Sequence, residues 1–71
     1  MLQLEIFDDQ KCIATITADP SHVIPAQGDR VDTWEQNGGP TPVSLEIVDR
    51  QLHYDQQGRL VKVEFTCKRL P

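Results

Sequence analysis

The side chains able to do chemistry in this chain are few and far apart. The soft metal donors are Cys12, His22, His53 and Cys67, and no two lie closer than ten residues. Structural zinc sites draw their ligands in short-spaced pairs, so the spacing predicts no metal site. Ser21 directly precedes His22, but a nucleophile must meet its base in space, and neighbours on extended backbone point apart. Ser44 lacks the glycine-flanked elbow of a nucleophilic serine. Asp8 and Asp9 are paired carboxylates, yet they sit where turn chemistry accounts for them, because Asp bonds its own backbone. Asn37-Gly38-Gly39-Pro40 has no following Lys-Ser/Thr and so is not a phosphate loop. Acid–base work needs a sheltered site to shift a pKa, and 71 residues offer little shelter. The expectation is a non-enzyme without cofactor or metal.

Recognition has more to work with. If Val31 faces the core, alternation puts Trp34 on the outer face with Arg30 and Asp32. Tyr54 and His53 lie at the mouth of the following turn. Trp, Tyr and Arg dominate interface energetics, so Trp34, Tyr54, His53 and Arg30 form the candidate binding set. The competing expectation, and the favoured one, is that Trp34 folds over the open end of the domain as a plug. A second candidate surface is basic: Arg59, Lys62, Lys68 and Arg69 near the C-terminus suit nucleic acid, with an aromatic for stacking.

Charge argues against that second surface. The chain carries 11 acidic and 7 basic residues, a formal net charge of −4. Nine acids and three bases fall in residues 1–54, and two acids and four bases in 55–71. The whole is repelled by polyanions, while the last segment keeps a local basic stripe. That stripe also reads as a solvated strand face.

The elements that must position these residues read as strands. Residues 2–7 alternate apolar and polar, the period of a half-buried strand. Asp8-Asp9-Gln10 is a turn, and residues 11–18 are rich in β-branched types that suit a pleated surface. Together they predict an N-terminal hairpin, with Cys12, Ala14, Ile16 and Ala18 facing inward. Asp19-Pro20-Ser21-His22 breaks the pattern, and a short helical turn is expected near residues 20–23. Pro25 and Gly28 bend the chain into a third strand over 30–35. Asn37-Gly38-Gly39-Pro40 is a hairpin loop. Val43, Leu45 and Ile47 alternate inward, and then Val48 breaks phase, which predicts a β-bulge at Ile47-Val48. Asp55-Gln56-Gln57-Gly58 is a turn. Residues 60–68 form the clearest strand, with Val61, Val63, Phe65 and Cys67 inward and Lys62, Glu64, Thr66 and Lys68 outward.

Five strands joined by short turns, one of them bulged, predict a single all-β domain, mainly antiparallel. The architecture expected is a small, partly open SH3-like or OB-like barrel. A two-layer sheet with one short helix near Ser21 is the alternative.

The stretch Ile24-Pro25-Ala26-Gln27-Gly28-Asp29-Arg30-Val31 places an apolar residue and Pro before Gly, an acid and Val. With Val48-Asp49-Arg50 and the terminal hairpin, it resembles small SH3-like β-barrel proteins of bacterial and phage origin over roughly residues 23–70. The resemblance implies a binding or assembly module rather than an enzyme. It carries no residue-level role onto this chain.

A domain this small buries only about 60% of its unfolded surface. A partner covering part of its core is therefore a live expectation, whether another protein or a second copy in a homodimer. No apolar run approaches the roughly 18 residues of a membrane span, and no signal peptide is evident. A cytoplasmic protein with reduced thiols is expected. Cys12 and Cys67 read as buried free thiols, because a disulfide needs their strands to be neighbours. The function expected is a non-catalytic protein-interaction or assembly module that binds a protein partner, or itself, through an exposed strand edge or the Trp34/Tyr54 region; the alternative is a small nucleic-acid-binding barrel.

Overall fold

A computed structural model of the protein describes residues 1–19, 21, 24–35, 38–39 and 41–71. Five strands follow one another: β1 (Leu2–Asp8), β2 (Lys11–Ala18), β3 (Arg30–Thr33), β4 (Val43–Tyr54) and β5 (Leu60–Arg69). They form one sheet in the order β2-β1-β5-β4-β3, curled into a half-barrel with no helix among the described residues. This is the small, partly open five-stranded barrel that the alternation predicts. Of the helical turn expected near 20–23, only Ser21 is described; Pro20, His22 and Val23 lie outside the described residues, as do Asn37 and Pro40 of the expected hairpin loop.

Three of the four strand pairings are antiparallel, and β1 pairs with β5 in parallel. The parallel contact brings the first and last strands together in the middle of the sheet. It leaves β2 and β3 as the two edges. Between β1 and β2 the chain reverses at Asp9, whose φ of 60° falls in a region Asp tolerates better than most residues.

Register sets the inner face. Leu52, Val63, Leu4 and Ile16 form one row across β4, β5, β1 and β2, and Arg50, Phe65, Ile6 and Ala14 form the next. The centre of each row is dry. Val63, Leu45 and Ile47 are fully buried, and Phe65 and Leu2 nearly so. Burying side chains of this size stabilises by about 1.5–3 kcal/mol each, the main favourable term available to so short a chain.

The connection from β2 to β3 must travel from one edge of the sheet to the other. Its described residues 24–29 lie against the inner face. Ile24 packs on the core, and Arg50 Nη1 donates to the Pro25 carbonyl at 3.1 Å. Gly28, at φ 93°, then turns the chain so that its N–H reaches the Ile47 carbonyl at 2.8 Å. The Ile47 N–H in turn donates to the Asp29 carbonyl at 2.9 Å. The crossover thus extends the β3–β4 ladder and roofs the open side of the sheet.

The expected bulge is present, because the β4–β5 register slips between Ile47 and Asp49 and leaves Val48 exposed. A second bulge was not legible. The β1–β2 register passes from Ile6–Ala14 to Phe7–Cys12, so Ile13 is the extra residue. The inward set expected for β2 is corrected accordingly. Ile13, Ala14 and Ala18 are buried, Cys12 moves to the Phe7 side, and Ile16 is 40% exposed. In β5, Val63, Phe65 and Cys67 are buried as expected, but the inward place expected for Val61 is corrected: the β4–β5 register slips again between His53–Lys62 and Tyr54–Leu60, which leaves Val61 as the extra residue, exposed.

The two thiols are free. Cys67 pairs with Asp8 of β1, and Cys12 pairs with Phe7 on the far side of that strand. Two strand spacings of about 4.8 Å separate them, beyond the roughly 4.4–6.8 Å between Cα atoms that a disulfide needs. Burial, and then the nearby Asp8 carboxylate, raise the Cys67 pKa above that of an ordinary thiol.

Candidate functional site

Trp34 follows β3 directly, and 54% of its surface is exposed. The plug expected of it is therefore corrected. The core is closed by the β2–β3 crossover instead, with Ile24 in the covering position. On β3 itself, Arg30 Nε donates to Asp32 Oδ1 at 3.1 Å, and its Nη2 donates to Ser44 Oγ at 3.1 Å on the neighbouring strand. Hydrogen bonds from the Ser44 hydroxyl first, and from Arg30 next, hold the Asp32 carboxyl below its ordinary pKa. Arg30 is thus a braced, exposed cation at the start of β3, four residues before the tryptophan.

Tyr54 and His53 stand elsewhere. Tyr54, 60% exposed, ends β4, whereas Trp34 flanks the start of that strand through the Thr33–Val43 pair. Eleven residue steps of about 3.3 Å separate the two ends, in a molecule whose long dimension is 40 Å. The structure does not bring Trp34 and Tyr54 into one surface, and the binding set splits into two ends. His53 lies on the outer face of β4, where its Nε2 is 2.6 Å from Glu64 Oε1. That approach lacks the alignment of a hydrogen bond, since the nitrogen has no hydrogen-bond partner.

The basic candidates also disperse. Arg59 Nε contacts Asp55 Oδ2 at 3.3 Å within the β4–β5 turn. Lys62 Nζ sits 3.5 Å from Glu64 and 3.9 Å from Glu5 on the outer face. Lys68 is opposite Glu46 in the ladder. Arg69 is at the other end of β5 from Arg59 and on the opposite face from Lys62 and Lys68, where it binds Asp8 and Glu35. Three of the four cations contact a carboxylate, so they form no continuous track for a phosphate backbone.

An open hollow of about 500 Å³ lies beside the β4–β5 turn, lined by Met1, Leu2, Asp55, Arg59, Leu60 and Val61. Its two charged side chains are bonded to each other. Among the described residues, no three His, Cys, Asp or Glu gather into a metal-binding group. No helix among them is long and apolar enough to cross a membrane.

The sequence reading did not say which strand is an exposed edge: among the described residues no strand lies outside β2, which makes it one. Its residues from Cys12 to Ala18 include no charge and no proline. Natural sheets usually defend edges with those devices, or by keeping the edge short. The β3 edge has such a defence, with four residues and the Arg30–Asp32 pair. The signal was present in the composition of residues 12–18, but it means nothing until the strand order makes β2 terminal. The chain matches no family model, no curated protein and no solved structure.

Proposed function

We propose that this domain is a non-catalytic protein-interaction module that contacts its partner through Trp34, with Arg30 at the rim. The observation that carries the reading is the exposure of Trp34 at the flank of an edge strand. Trp and Arg are among the commonest interface anchors, and covering an exposed indole removes a large apolar area from water. The β3 segment supports it from below, because Arg30, Asp32 and Ser44 are already bonded to one another and lose little entropy on docking. The scattered, carboxylate-paired cations favour a protein partner over nucleic acid. Two thiols too far apart to bridge suit a reducing, cytoplasmic setting.

The test uses Trp34→Ala, with the full chain as bait in extract from its native cells. The variant is expected to keep its far-ultraviolet circular dichroism and to lose the proteins that the wild type retains. Retention of the same proteins by the folded variant defeats the reading. As the sole tryptophan, Trp34 also reports directly: its emission is expected to shift to the blue when the captured partner is added.

A further inference from the structure

The geometry points to the β2 edge as a self-association surface, where a second copy of this chain adds its own β2 in antiparallel. This is separate from the Trp34 contact, which lies at the opposite edge of the sheet. Among the described residues no strand lies outside β2, so one side of its backbone has no ladder partner. Unpaired edges of this kind accept a further strand.

The second copy is the occupant that fits, for two reasons. The first is shape. The bulge at Ile13 interrupts the edge, and the regular stretch beyond it runs over residues 14–18 and is centred on Ile16. An antiparallel pair of identical stretches has a two-fold axis at its centre. Ile16 then faces Ile16 of the second copy, Ala14 faces Ala18, and Thr15 faces Thr17. Every side chain meets one of its own kind, aliphatic on the inner face and hydroxyl on the outer, and such cross-strand pairs are favourable.

The second reason is burial. Ile16 is the open end of the row through Leu4 and Val63 and is 40% exposed. Pairing at the axis continues that apolar row from one copy into the next.

Sedimentation velocity tests this over about 1 µM to 1 mM, the range in which a weak dimer dissociates. The wild type is expected to move from monomer to dimer. Ile16→Lys puts two cations at the axis and is expected to weaken the dimer ~100-fold while the circular dichroism spectrum stays unchanged. A wild type still monomeric at the highest concentration overturns the proposal. So does a dimer that survives Ile16→Lys, or one that Trp34→Ala dissolves instead.

Discussion

Arg69 Nε lies 2.6 Å from Asp8 Oδ2, joining the last residue of β5 to the last residue of β1 across sixty-one positions of chain. The same guanidinium bonds Glu35 beyond β3, so one side chain ties the middle of the sheet to its far edge. The hydrogen bond to Asp8 first, and that to Glu35 next, raise the Arg69 pKa further. A planar guanidinium can serve two carboxylates at once, and a lysine cannot do so with the same geometry.

Arg69→Lys is therefore expected to lower the urea midpoint, and Arg69→Ala to lower it more. The pair is solvent-accessible, so much of the loss should vanish at about 1 M salt, where screening acts over about 3 Å. Urea titrations at low and high salt check this. Equal midpoints for wild type and Arg69→Ala at low salt would show that the clamp contributes nothing.

Phe65 stands at the centre of the inner face, between Ile6 and Arg50 in the ladder. Truncating a buried Phe to Ala costs about 3–5 kcal/mol, and a domain this size holds only about 3–5 kcal/mol in all. Phe65→Ala is expected to be unfolded at 25 °C. Ile47→Val, which removes one buried methyl group, costs about 1 kcal/mol and is expected to stay folded with a lower melting temperature. A folded Phe65→Ala protein by circular dichroism would mean that the core is not the one described.

Asp55 organises the β4–β5 turn. Its Oδ1 accepts the Gln57 and Arg59 N–H groups at 2.8 and 3.0 Å. The backbone bond from Arg59, the largest influence, and the bond from Gln57 lower its pKa despite partial desolvation. The folded carboxyl thus stays ionised to a lower pH than the unfolded one, which titrates near 3.9. Its stabilisation is complete above that value and fades as pH falls through the lowered folded value. Asp55→Asn is expected to have a lower urea midpoint at neutral pH. It should also lose less stability than the wild type between about pH 4 and pH 2. Asp32, similarly lowered, leaves a residual slope in both proteins. Parallel acid profiles for wild type and variant would refute the turn's role.

The sequence by itself determined the local structure. Alternation over residues 60–68 selected Val63, Phe65 and Cys67 for the interior rightly and Val61 wrongly, and the phase break at Val48 marked a bulge. Side chains two residues apart share a face of any strand, so these assignments needed no knowledge of neighbours. The bulge at Ile13 left no such trace, because residues 12–18 carry small or β-branched types on both faces and a slip of one changes nothing visible. That concealed slip turned Cys12 away from the interior. Tertiary structure alone decided which strands meet. The parallel β1–β5 pairing made β2 and β3 the edges, parted Trp34 from Tyr54, and carried Arg69 to Asp8 and Glu35. A period-two pattern fixes the face on which a residue lies and is silent about the strand beside it, which depends on how the chain closes on itself.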